Sequence, residues 1–196
     1  MIVMPKKLKV IPLRCFVGVK FPLLQQIKPL LDDLSDLAKD ESLKIRMTPP
    51  ANLHLTLKFI GTVAEGQEIP IQSVLTQVGH QLKSFNLDCS GVGFFKNSMW
   101  VGAQETEQLQ ELVIDLNQGL AVLDFEVESK PYSPHITVAR FAGSAKEKLK
   151  ALESKYEKAQ WGQMEVNKFH LYRSDTLPEG PKYFILSKYG LGKPNL

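Results

Sequence analysis

The sequence predicts an α+β fold built on a mixed or antiparallel sheet. Three observations predict it. Segments with apolar residues at every second position are separated by segments with apolar residues at helical spacing. The two kinds do not alternate strictly, which argues against a doubly wound parallel sheet. With 43% apolar and 23% charged residues in 196, the chain can bury a core without disulfides or metals.

The elements follow in order. "RCFVGVKF" (14–21) reads as a strand. Leu23, Leu24, Ile27, Leu30, Leu31, Leu34 and Leu37 recur as on a helix, which Pro29 either kinks or starts late. "MTPPAN" is a turn that delivers "NLHLTLKF" (52–59), a strand expected to end at Gly61. A second helix is expected over 71–82, with Pro70 in its first turn. "FNLDCSGVGFF" and "MWVGA" read as two strands joined at Lys96-Asn97-Ser98. A third helix covers 105–120, with Leu109, Leu112, Val113 and Leu116 on one face. "FEVES" reads as a short strand, "KPYSP" as a loop, and "HITVARF" (135–141) as a strand. Ser144 to Glu147 forms a capping box for a fourth helix that faces Leu149, Leu152 and Tyr156 inward. "MEVNKFHLYRS" and "KYFILSKYGL" are two closing strands.

Bulk properties bound the function. Cys15 and Cys89 lie in no CxxC pair, so neither a zinc site nor a disulfide framework is expected, and both read as partly buried thiols. "MIVM" is too short for a signal segment, and no apolar run is long enough to span a bilayer. The expected product is a soluble, cytoplasmic, monomeric protein. A net charge of +3 permits an anionic ligand without demanding one. The basic "PKKLK" reads as a solvated end.

The chemistry lies in a repeat. Aligning His54 with His135 lays "PANLHLTLKF" over "PYSPHITVAR". Pro50 meets Pro131, Thr56 meets Thr137, and apolar residues coincide beside them. Two of the four histidines thus sit in the same tetrapeptide, His-apolar-Thr-apolar, 81 residues apart. The spacing suggests two lobes in one bilobal domain, 1–196, with one motif strand in each (54–57 and 135–138). Residues i and i+2 of a strand share a face. His54 therefore lies with Thr56, and His135 with Thr137, while the alternate apolar residues fill the core. Two imidazoles and two hydroxyls around one pocket suit phosphate-ester cleavage without a metal. One histidine takes a proton from water, the other gives one to the leaving oxygen, and the hydroxyls bind the phosphoryl oxygens. The symmetry does not say which histidine is the acid. His80 lies opposite its helix's apolar stripe and reads as solvated; His170 has no threonine two residues on and reads as structural.

At these tetrapeptides the sequence resembles the 2H phosphoesterase superfamily, named for paired His-x-Thr-x motifs. It is most similar to the RNA 2',3'-cyclic phosphodiesterases, also called 2'-5' RNA ligases. "RCFVGV", "NLHLTLKFIG", "SPHITVAR", "FHLYRS" and "GPKYFIL" carry the resemblance along nearly the whole chain. It implies two pseudo-symmetric α+β lobes with mostly antiparallel sheets around a central cleft lined by the motif strands. It implies hydrolysis of RNA 2',3'-cyclic phosphate ends, tRNA fragments among them, to 2'-phosphates, with 2'-5' ligation as the reverse reaction and no cofactor. It also implies that His54 is the proton donor and His135 the acceptor.

Arg140 matches an arginine five positions after the family's second histidine. An odd offset puts it on the wrong face of a regular strand, so a bulge or the strand's end must bring it to the phosphate. Lys58, four positions after His54, shares the catalytic face on a regular strand and is either a phosphate ligand or a solvated lysine. Phe16 packs in the core, the favoured reading, or stacks on a base. The alternatives are a 2H phosphodiesterase for 2'-5' oligoadenylate or a small cyclic nucleotide, and an RNA- or nucleotide-binding module without turnover. Two retained His-Thr pairs weigh against the second.

Overall fold

The structure, a computed structural model, describes residues 13–177 and 180–192, the Ser144 side chain excepted. "MIVM" and "PKKLK" lie outside the described residues. The strands are β1 (Leu13–Lys20), β2 (Arg46–Met47), β3 (His54–Val63), β4 (Phe85–Phe95), β5 (Ser98–Ala103), β6 (His135–Arg140), β7 (Gln160–Val166), β8 (Lys168–Leu177) and β9 (Gly180–Gly190). The helices are α1 (Lys28–Ala38), α2 (Glu68–Gln81), α3 (Glu107–Ala121) and α4 (Lys146–Tyr156). No helix among the described residues is long and apolar enough to cross a membrane.

All pairings are antiparallel, in the order β7-β4-β5-β6-β3-β1-β8-β9, with β2 added beside β6. The two motif strands, β3 and β6, are neighbours at the middle of this path. β3 leads into β1, β8 and β9, and β6 into β5, β4 and β7. Only Asn167 separates β7 from β8, although β7 lies at one edge of the path and β8 next to the other. A single residue spans a few ångströms, so the sheet must curl to bring those strands together. α2 packs on α3 and β9, and α3 on β3; α4 packs on β4, and α1 on α4 and β2. The core between helices and sheet takes one face of every central strand. Val17, Val19, Leu55, Leu57, Val101, Ile136, Val138 and Leu171 are all buried there. Cys15 and Cys89 are buried free thiols, each pushed up to about 11 by burial.

Several expectations are borne out. Pro29 stands in the first turn of α1, the late start, because Pro there loses no helix hydrogen bond. The third helix forms close to its expected bounds as α3, its start held by Thr106, which accepts from the Leu109 amide at 3.2 Å. The Lys96-Asn97 turn joins β4 to β5.

Four details differ. Gly61 does not end β3; its φ of 84° serves an irregularity where Ile60 is the extra residue, and the strand runs on to Val63. "FEVES" forms no strand: it has no ladder partner, and side chains hold it instead, Lys58 donating to the Glu126 carbonyl and the Glu128 amide to Asn117 at 3.3 Å. The capping box does not start α4, which begins at Lys146 after a 3-10 turn at Gly143–Ala145. "MEVNKFHLYRS" is two strands, because its halves pair with β4 and with β1 and β9.

Candidate active site

The central pairing builds the site. Leu55 pairs with Ile136, and both side chains are fully buried. In an antiparallel pair this register sets His54 beside Thr137 and Thr56 beside His135. All four point away from the core, in approximate two-fold symmetry about the Leu55–Ile136 pair. The structure thus brings both predicted His-Thr pairs to one place.

The symmetry extends to the shell around each imidazole. His54 Nδ1 lies 2.6 Å from the Asn52 carbonyl oxygen, and His135 Nδ1 lies 2.8 Å from that of Ser133. A carbonyl only accepts, so each Nδ1 carries the proton and each Nε2 is left for proton transfer. Asn52 is itself anchored: its side-chain amide donates to the Pro181 carbonyl at 2.8 Å, tying the chain two residues before His54 to β9. Phe16 lies 4.8 Å from the His54 ring and Phe95 lies 4.7 Å from the His135 ring, centroid to centroid. Tyr183 meets His54 edge-on at 5.2 Å. His54 also lies over Gly18, where a Cβ would stand 3.4 Å from the ring and 2.8 Å from the Leu55 carbonyl oxygen.

This packing sets the proton affinities. Burial holds His54 below the ordinary imidazole value; the Asn52 carbonyl pulls the other way, and the charges of His135 and Arg140 add to the lowering. His135 is lowered by burial, opposed by the Ser133 carbonyl and reinforced by Arg140. Both imidazoles are therefore biased to the neutral form until an anion arrives.

Each motif strand is bulged three residues after its histidine. In β3, Gly18 pairs with Thr56 and Val17 with Lys58, so Leu57 is the extra residue. In β6, Trp100 pairs with Thr137 and Met99 with Ala139, so Val138 is the extra residue. A bulge exchanges the faces beyond it. Arg140 thereby joins His135 on the cleft face, as its expected role requires, and is exposed there. The equivalent residue of β3 is Phe59, which is 68% exposed and 6.3 Å from the Phe16 ring.

The same geometry corrects one expectation and decides between two readings. Lys58 does not share the face of His54. It stands opposite core residue Val17, only 5% exposed, with its ammonium on the Glu126 carbonyl. Phe16 is not open to a base: it is 3% exposed, stacked on Tyr172 at 4.8 Å and met edge-on by Tyr183. The exposed aromatics of the cleft face are Phe59 and Phe95, neither of which sequence reasoning singled out. No local signal marks Phe59, because the bulge that turns it outward depends on β1. His170 is buried on β8 opposite Gly18, and His80 is exposed on α2 in a surface hollow lined by that helix. Among the described residues, no three His, Cys, Asp or Glu side chains converge to hold a metal.

A curled antiparallel sheet with two His-x-Thr strands paired at its centre defines the class: a 2H phosphoesterase. The chain belongs to the 2'-5' RNA ligase superfamily, whose family model matches residues 24–177, and within it to the RNA 2',3'-cyclic phosphodiesterases. An Archaeoglobus fulgidus protein of that name is 32% identical over 178 residues, 87% of this chain and 96% of the relative. One from Methanothermobacter thermautotrophicus is 29% identical over 184 residues, 91% and 98% of the two chains. Among solved structures, E. coli LigT in its apo form superposes with a TM-score of 0.71 at 25% identity, covering 93% of this chain and 99% of LigT.

Proposed function

We propose that this chain hydrolyses RNA 2',3'-cyclic phosphate ends to 2'-phosphates by proton transfer between His54 and His135. The observation that carries the reading is the pairing of Leu55 with Ile136, which sets two imidazoles, each engaged through Nδ1 and not through Nε2, on one face of neighbouring strands. His135 Nε2 takes a proton from water as the new P–O bond forms. His54 Nε2 gives a proton to the 3'-oxygen as its bond to phosphorus breaks, leaving a 2'-phosphate and a 3'-hydroxyl. Exchange with solvent then resets both rings. Thr56, Thr137 and Arg140 hold the phosphoryl oxygens as charge builds on them. The assignment of acid and base follows the family resemblance.

The lowered proton affinity of His54 makes substrate part of the acid's activation. A cyclic phosphate carries a negative charge, and an anion beside an imidazole favours its charged form. The proton needed by the leaving group is thus recruited together with the phosphate. With a 5'-hydroxyl in place of water as nucleophile, the same groups join it to the cyclic phosphate through a 2'-5' bond and release the 3'-hydroxyl; water's excess favours hydrolysis. We read the chain as one bilobal, monomeric unit acting in the cytoplasm on RNA ends such as tRNA fragments, with Phe59 and Phe95 offered to bases.

The test is an oligonucleotide ending in a 2',3'-cyclic phosphate, assayed with and without EDTA, with the 2'- and 3'-phosphate products resolved. We expect the 2'-phosphate, insensitivity to EDTA, and losses of at least about 10²-fold in kcat for His54→Ala and His135→Ala. Normal turnover by either variant, or loss of activity in EDTA, sinks the mechanism.

A further inference from the structure

Arg46 is the one residue of β2 that faces the cleft, and it stands directly opposite Arg140. Its neighbour Met47 pairs with Ala139 and packs on the core, which puts Arg46 on the other face, where it is exposed. Partners in such a pair lie about 5 Å apart at Cα. Like charges so placed repel unless an anion lies between them. Among the described residues, neither guanidinium has a carboxylate partner. The head of Arg46 is nonetheless placed: it lies over Gly180, whose Cβ would stand 3.4 Å from Nη1. Gly180 precedes Pro181, which anchors Asn52, and Tyr183, which meets His54. Both arginine charges reach the Tyr183 phenol and oppose its rise by burial.

The two ends of the site therefore differ. β6 runs antiparallel to β3, so Arg140 lies toward Asn52, at the His54 end. Its symmetry mate at the His135 end is the apolar Phe59. In an in-line displacement the leaving oxygen and the attacking water lie on opposite sides of phosphorus. On the reading proposed above, with His54 as acid, the departing 3'-oxygen and the ribose that carries it lie toward the arginine end, and the base can still reach Phe59. The next anion along that nucleotide is its own 5'-phosphate.

We propose that Arg46, paired with Arg140, is a specificity residue that binds the 5'-phosphate of the terminal nucleotide, so that the site favours a cyclic phosphate on a chain over a bare nucleoside cyclic phosphate. This inference rests on the phosphodiesterase reading and goes beyond it by naming what the second arginine selects.

The test compares adenosine 2',3'-cyclic phosphate with the same compound bearing a 5'-phosphate, as kcat/KM for wild type, Arg46→Gln and Arg46→Lys. Wild type should prefer the 5'-phosphorylated compound by about tenfold, the effect of one charged hydrogen bond. The preference should weaken with added salt. Arg46→Gln should bring the ratio close to one, and Arg46→Lys should restore part of it. The ratio is taken within one preparation, so an unfolded fraction cancels. A wild type without preference, or Arg46→Gln with the wild-type ratio, overturns the inference; Arg46 would then only cover the Gly180 backbone. A wild type that hydrolyses neither compound, nor cyclic-phosphate RNA, overturns the phosphodiesterase reading and this inference with it.

Discussion

Leu55 and Ile136 pair across β3 and β6 with both side chains fully buried. That contact is the hinge of the site's symmetry. Buried branched side chains hold the two strands against the core, and alternation then places a histidine and a threonine of each strand on the opposite face. Core packing, rather than any contact among the four polar groups, fixes their spacing.

The rate of hydrolysis should follow a bell against pH, with the free protein and the complex giving different bells. Both imidazoles lie below their ordinary value of 6.5 in the free protein. The kcat/KM profile reports the free protein, so its maximum should fall on the acid side of 6.5. The kcat profile reports the complex, where the bound phosphate favours imidazolium, and should lie at higher pH. Coincident profiles would show that the phosphate does not charge the acid.

The same shifts bear on folding. His54, His135 and His170 are all lowered by burial, so the unfolded chain binds protons more readily than the folded one. Their contribution to stability is full above about 6.5 and is lost as pH falls through the folded values. Urea midpoints from pH 8 to 5 should decline, most steeply below 6.5; a flat profile would contradict the burial of these rings.

Arg140→Gln should act in two ways. Loss of a charged donor to the phosphate should lower kcat/KM by about 10²-fold or more. Arg140 also opposes protonation of both histidines, so its removal should raise both and move the kcat/KM profile toward higher pH. A slower enzyme with an unmoved profile would place Arg140 away from the imidazoles.

Gly18→Ala should damage stability and catalysis together. The new methyl would lie 2.8 Å from the Leu55 carbonyl oxygen and 3.4 Å from the His54 ring. Backbone cannot yield as a flexible side chain does, so a cost of about 1–3 kcal/mol is expected, with a lower kcat from a displaced ring. Denaturant titration and single-turnover kinetics on one sample check both; a fully active, fully stable variant would contradict the close packing of His54 on β1.

Lys58→Met should leave the KM for cyclic-phosphate RNA and its salt dependence as in wild type, because the ammonium is turned to Glu126 behind the sheet. Losing that hydrogen bond should cost about 1 kcal/mol of stability. A weakened salt dependence of KM would instead return Lys58 to the RNA face.

The repeat itself was legible without a structure. His54 with Thr56, His135 with Thr137, and the buried leucines between them all follow from a period of two, a property of each strand alone. The helices were legible for the same reason: Leu109, Leu112, Val113 and Leu116 mark a face by local spacing. The reading that failed, on Lys58, lies past a bulge. Lys58 reads as cleft-facing until Leu57 proves to be extra against β1, and only the register between two distant strands decides that. Arg140 depends likewise on Val138 against β5. Phe16 alternates correctly onto the cleft face, yet Tyr172 and Tyr183, over 150 positions away, cover it. Two imidazoles and two hydroxyls on matched strands can be read from the chain alone, because side-chain alternation is local. Tertiary structure decided which neighbours join them, because strand register, bulges and the curl of the sheet are set by packing between segments far apart in the chain.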